Sequence, residues 1–173
     1  MSTARIVLVT GTDTGVGKTV VGFGLGAALT RRGLRVRSVK PVETGCGGDF
    51  DPTEDGALLA RATGQRVRRT ALDRLPEPLA PPVAADRAGR HLDLDEWCEA
   101  IRALAIDRDV LLVEGAGGLL SPLTWHETAR DLAVALGAEA LVIAPDRLGS
   151  LNHILLTLEV LQAASVPVLG VVV

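Results

Sequence analysis

Arg5-Ile6-Val7-Leu8-Val9-Thr10 is an unbroken, β-branched-rich apolar run, and it stops at the glycine-rich stretch Gly11-Thr12-Asp13-Thr14-Gly15-Val16-Gly17-Lys18-Thr19. An apolar run without polar alternation reads as a strand buried on both faces. A helix pattern follows at once, from Lys18 to Arg32, closed by a basic last turn and Gly33. A doubly buried strand needs covering layers above and below it. This opening therefore restricts the chain to a parallel α/β sheet with helices on both faces.

The rest of the chain fits that class. Short strands are expected at Val36–Val39, Val110–Val113, Leu141–Ala144 and Val168–Val173. Helices are expected from Asp51-Pro52-Thr53-Glu54, which has the form of a capping box, to Thr63, and from Asp93 to Ala105. Two more are expected at Ala129–Leu136 and Asn152–Ala164. The proline-rich stretch Leu75 to Ala85 reads as an ordered loop over the sheet, not a linker. With 173 residues, no repeat and no low-complexity tail, residues 1–173 are expected to form one domain.

Composition excludes several classes. No apolar stretch approaches the ~20 residues of a membrane span, and Met1-Ser2-Thr3-Ala4-Arg5 runs directly into the first strand, so neither a membrane anchor nor a secretory signal is expected. A net charge of −3 argues against nucleic-acid binding through bulk positive charge. Two cysteines, Cys46 and Cys98, are too few for a disulfide scaffold, and a reducing cytoplasm suits them. Of 18 basic residues only Lys18 and Lys40 are lysine. A compact ammonium is chemically distinct from a guanidinium, so the places of these two matter.

Gly11 to Thr19 lies between a strand and a helix, where a phosphate-binding P-loop belongs. Backbone N–H groups of Asp13, Thr14, Gly15, Val16 and Gly17 can wrap a polyphosphate, and the helix start adds favourable partial charge. Lys18 would reach the β- and γ-phosphates of ATP or another nucleoside triphosphate, with the Thr19 hydroxyl on Mg²⁺. The strict spacing asks for glycine at position 12, where Thr12 stands; Gly11 comes one residue earlier. The same stretch is also compatible with a glycine-rich turn that binds nothing. A second signal is Val110-Leu111-Leu112-Val113-Glu114-Gly115-Ala116-Gly117-Gly118, an apolar strand ending in an acid that suits a metal carboxylate. Read alone, it is an ordinary strand end. A third is Val39-Lys40-Pro41-Val42-Glu43-Thr44-Gly45, with Lys40 following the second strand and Asp55 early in the next helix, able to face the same metal. A solvated strand-end charge and a first-turn acid are the plainer readings of those two. The fourth is Arg147-Leu148-Gly149-Ser150-Leu151-Asn152-His153, where Ser150 or Asn152 serves as a helix N-cap or the exposed amides receive a substrate carboxylate.

In this order the four motifs resemble dethiobiotin synthetase, a P-loop NTPase-like family, from the first strand to Val173. The resemblance implies an ATP- and Mg²⁺-dependent ring closure on 7,8-diaminononanoate and CO2, through a carbamate and a carbamic–phosphoric anhydride. It places Lys18 and Lys40 as catalytic groups, and Thr19, Asp55 and Glu114 on Mg²⁺. Glu114 and Gly117 join the nucleotide-binding set, and Thr14 and Thr44 bond phosphate or carbamate oxygens. Pro81, in the proline-rich stretch, lines the substrate's alkyl chain. Gly149, Ser150, Leu151 and Asn152 take the substrate carboxylate from a partner subunit, so a homodimer is implied. Some members carry Glu where this chain has Gly15. The family also continues past Val173, including an Asn that helps read the base, so the expectation is a C-terminally incomplete member with its base preference open.

Rival readings are weaker. A partitioning-type switch ATPase carries a signature lysine early in the P-loop, where this chain has Asp13. A cobyrinate-type amide synthetase needs a glutamine-hydrolysing domain, for which there is no room. A guanine-nucleotide switch needs an Asn-Lys-x-Asp motif, and no third lysine exists to make one.

Overall fold

The computed structural model describes residues 4–48, 51–66 and 71–173. In chain order the elements are β1 (Arg5–Gly11), α1 (Lys18–Arg31), β2 (Val36–Thr44), α2 (Asp55–Ala62), β3 (Ala71–Leu75), α3 (Pro81–Arg87), α4 (Leu94–Ala105), β4 (Val110–Glu114), α5 (Ala129–Leu136), β5 (Glu139–Ile143), α6 (Ser150–Ala163) and β6 (Val168–Val172). The strands form one sheet in the order β3-β2-β4-β1-β5-β6, and every pairing is parallel. The expected α/β class is the observed one.

The alternation of β1 explains its two covers. Leu8 belongs to a core with Val39, Val113, Trp97, Ile101 and Leu132, under α4 and α5. Val7 joins Val36 and Leu112 on the other side, against Leu25 and Leu29 of α1. Pairing Val9 with Glu114 brings the carboxyl ends of β1 and β4 side by side. Open α/β sheets bind ligands at that edge, and the Gly11–Thr19 turn lies across it.

Local structure departs from expectation in four places. β2 does not stop at Val39. Val36 to Val39 pair with β4, whereas Lys40 to Thr44 pair with β3, so Lys40 stands within the strand instead of after it. Pro41 and two charges interrupt the apolar run there and hide the strand. Asp51-Pro52-Thr53-Glu54 does not open α2. The Asp51 carboxylate accepts from the Thr53 amide (2.8 Å) and hydroxyl (2.6 Å), a local turn, and the helix begins at Asp55.

The stretch Leu75 to Ala85 is not a loop throughout. Leu75 ends β3, which the sequence reading missed, and Pro81 and Pro82 start α3, where preset proline φ and the absence of an amide cost nothing. Finally, α6 starts at Ser150, and its N-cap is Gly149 at φ 94, so neither Ser150 nor Asn152 caps it. The Ser150 hydroxyl instead donates to the Pro145 carbonyl at 2.5 Å.

Candidate active site

The turn after β1 is shaped by its glycines. A Cβ on Gly11 would stand 2.7 Å from Val16 Cγ2 and 3.0 Å from the Asp13 carbonyl. Gly11 therefore supplies the close approach that the strict spacing assigns to position 12. At Gly17 the backbone takes φ 98 and launches α1. The Asp13 carboxylate accepts from the Thr14 amide at 2.7 Å, and the Asp13 carbonyl accepts from Lys18 Nζ at 2.9 Å. The Lys18 side chain is thus folded back along the inside of the loop.

Four elements meet at Glu114, the last residue of β4, which is 1% exposed. Its Oε1 accepts from the Thr19 hydroxyl of α1 (2.8 Å) and from Lys40 Nζ of β2 (2.7 Å). Its Oε2 is buried and has no hydrogen-bond partner among the described residues. Lys40 also pairs with the Asp55 carboxylate at the start of α2. Both lysines are sequestered, Lys18 at 7% and Lys40 at 5% exposure. Burial works against the charge on Lys40, but Glu114 and Asp55 outweigh it and hold the ammonium above its usual range. For Lys18 burial wins and lowers the value, with Glu114 only partly opposing it. Two cations facing two carboxylates keep the buried cluster near neutrality.

The oxygens gathered here suit a hard divalent cation. The Thr19 hydroxyl, the Asp55 carboxylate and the unpartnered Glu114 Oε2 are all-oxygen donors of the kind Mg²⁺ takes. A buried carboxylate oxygen left unpaired is costly, and a cation would relieve it.

The sequence-derived residues fall into two sets. Asp13, Thr14, Gly15, Val16, Gly17, Lys18, Thr19, Lys40, Asp55 and Glu114 lie in the loop or the charged cluster. Gly117 (φ 67) belongs with them, since a Cβ there would come within 3.6 Å of Thr14 Oγ1. Thr44, Pro81, Gly149, Ser150, Leu151 and Asn152 make no hydrogen bond to the Lys40–Asp55–Glu114 cluster among the described residues. The Ser150 amide is taken by the Arg147 carbonyl (3.1 Å), while Leu151 and Asn152 are exposed in the first turn of α6, where amides lack intrahelical partners.

One contributor escaped the sequence reading. Glu43 of β2 is buried, and its Oε1 and Oε2 accept from the Asp55 (2.6 Å) and Gly56 (3.0 Å) amides. Burial pushes its carboxyl above the usual range, against the pull of these amides. Its position in the Lys40-Pro41-Val42-Glu43 segment was the available signal, but the partner is remote in sequence. Cys46 lies nearby, and burial pushes its thiol up to about 11, so it stays protonated at neutral pH.

A family model described as an AAA domain (AAA_26) matches residues 5–173. The chain is 50% identical over 171 residues to the ATP-dependent dethiobiotin synthetase of Mycobacteroides abscessus, spanning 97% of this chain and 72% of that protein. It is 42% identical over 172 residues to the enzyme of the same name from Nitrosospira multiformis, spanning 98% and 75%. The chain belongs to the dethiobiotin synthetase family. Among solved structures, the cell division ATPase MinD of Pyrococcus furiosus superposes with a TM-score of 0.58 at 22% identity, covering 97% of this chain and 70% of that one. That likeness shows a shared P-loop fold and no more. Membership in the family makes the chain an ATP-dependent ligase of biotin biosynthesis, with ATP as the nucleotide. Among the described residues no helix is long and apolar enough to cross a membrane.

Proposed function

We propose that this chain closes a cyclic urea on 7,8-diaminononanoate with CO2, in the cytoplasm, at the expense of ATP. The observation that carries the reading is the convergence of Lys18 and Lys40, the only two lysines, beside Glu114 at the mouth of β1 and β4. One amine of the substrate adds to CO2 and loses a proton, giving a carbamate. A carbamate oxygen then attacks the γ-phosphorus, and the bond to the bridging oxygen breaks to release ADP. The second amine attacks the carbonyl carbon of the mixed anhydride and expels inorganic phosphate as the ring closes.

Each step gathers or moves negative charge, and the protein's task is to hold and orient it. The amides of Asp13 to Gly17 cradle the phosphates. Lys18, released from the Asp13 carbonyl, follows the β- and γ-phosphates. Lys40 sits across from it and steadies the carbamate and the transferring phosphoryl oxygens. Thr14, Thr44 and Gly117 contact the oxygens around them, and Pro81 walls the alkyl chain. Thr19, Asp55 and Glu114 would hold Mg²⁺, which when bound neutralises phosphate charge and so lowers the electrostatic barrier to attack.

The substrate carboxylate goes to the Gly149–Asn152 turn of a second copy. Around that turn Leu148, Leu151 and Leu155 are exposed, an apolar surface that favours a homodimer. The single continuous sheet and the family match over residues 5–173 support one domain. No role for nucleic acid or membrane enters this reading.

Phosphate release from ATP tests it. Release is expected only when diaminononanoate and bicarbonate are both present. Brisk turnover without the diamine would overturn the proposal and favour a switch ATPase. The dimer reading fails if an active form sediments as a monomer at assay concentration.

A further inference from the structure

An α-helix leaves its first amides without partners, and a Ser, Thr, Asp or Asn at the N-cap normally accepts from them. At α2 the N-cap is Glu54, which makes no side-chain cap bond. The local candidate, Asp51, is turned onto Thr53. The first two helical amides are instead taken by one carboxylate from the adjacent strand: Glu43 Oε1 accepts from Asp55 N at 2.6 Å and Oε2 from Gly56 N at 3.0 Å. The approach is close enough to demand glycine at position 56. A Cβ there would stand 2.9 Å from Ala71 N and 3.1 Å from Glu43 Oε2.

The residue gripped this way is the one whose side chain meets Lys40. Lys40 and Glu43 lie three residues apart on β2, so one strand supplies both the ammonium that Asp55 pairs with and the carboxylate that holds the Asp55 backbone. Asp55 is therefore fixed at both ends, by its amide and by its carboxylate. The remainder of α2 has its own anchorage, through buried Leu59, Ala60 and Ala62 and the approach of Leu59 to Gly22. Losing the grip of Glu43 would loosen the first turn and leave the helix in place.

We infer that Glu43 is a positioning residue, which sets the Asp55 carboxylate beside Lys40 and Glu114 by clamping the first two amides of α2. Its effect on turnover rests on the function proposed above, while its effect on cation binding at Asp55 does not.

The test compares wild type, Glu43→Gln, Asp55→Asn and the double variant. Glutamine keeps the size of Glu43 but offers one acceptor and turns an NH2 toward the other amide. Mn²⁺ is titrated by electron paramagnetic resonance in the presence of a non-hydrolysable ATP analogue, and diamine-dependent phosphate release is measured in parallel. Glu43→Gln should weaken Mn²⁺ binding about tenfold, the low end of what groups that orient metal ligands contribute, while melting within a few degrees of wild type. In the Asp55→Asn background the same change should alter Mn²⁺ affinity by less than about twofold, because residues acting through one another are not additive. Unchanged Mn²⁺ affinity in Glu43→Gln overturns the inference. A full additional factor in the double variant, or collapse of the fold in Glu43→Gln, also overturns it. If the wild type binds Mn²⁺ but releases no phosphate with the diamine, the functional proposal fails and the Mn²⁺ cycle still decides the role of Glu43.

Discussion

Replacing Lys40 by methionine isolates the electrostatics of the buried cluster. Methionine fills the volume of the lysine stem and removes only the ammonium. Glu114, with 2% of its side chain exposed, then keeps the Thr19 hydroxyl and loses the cation bonded to it, while Lys18 stays nearby on the Asp13 carbonyl. Breaking such a pair from one side costs about 3–5 kcal/mol. The Asp55 side chain is 38% exposed, so solvent screens its loss, and it adds little. A chain of this size loses roughly 2–4 °C of Tm per kcal/mol, so Lys40→Met should melt about 6–20 °C below wild type at pH 7. Circular dichroism melts at pH 7, with the Lys40→Met/Glu114→Gln double variant alongside, read this directly. The double variant should recover most of the loss. A single variant melting within about 2 °C of wild type at pH 7, or a double variant no better than the single, would refute the reasoning.

Lys40→Arg should lose more than tenfold in kcat, beyond ~1.4 kcal/mol of transition-state stabilisation, because a planar fork cannot replace a point charge in a buried site; steady-state phosphate release measures it. Gly24 is exposed on α1 with nothing within 4 Å of the place a methyl group would take, so Gly24→Ala should raise stability by about 0.5–1 kcal/mol in urea melts. Gly26 is the contrasting case: a Cβ there meets Thr63 Cγ2 at 2.9 Å, and Gly26→Leu should cost about 1–3 kcal/mol or more in the same melts. Cys46, with its thiol pushed to about 11, should alkylate far more slowly with iodoacetamide at pH 8 than in the urea-unfolded chain, and equal rates would show that the burial is absent in solution.

The parts of the site that could be read in advance are those whose signals are local. The P-loop is nine consecutive residues between a strand and a helix, and each carries its own chemistry. Glu114 shows itself as an acid at the end of an apolar run. Lys40 stands out by rarity, in a chain that otherwise uses arginine. What could not be read is non-local. The second half of β2 is held by β3, so its residues need not look like the first half. Asp51-Pro52-Thr53-Glu54 has every local mark of a helix start, yet Glu43, across a chain connection, takes the amides of α2. Pro81 and Pro82 carry a signal that serves a helix start as well as a loop, and only the buried packing of Ala84 and Ala85 separates the two.

The exchange of partners along β2 also separates two design variables. The last pairing of β2 with β4 is Val39 with Val113, one residue short of both Lys40 and Glu114. The spacing between the ammonium and the carboxylate is therefore written in the sheet register alone. Beyond that point β2 belongs to β3, so changes of length in the connection to α2 are absorbed on the far side of the fork. The Lys40–Glu114 spacing can therefore hold while the connection to α2 changes length, provided Glu43 keeps its grip on the first turn of α2.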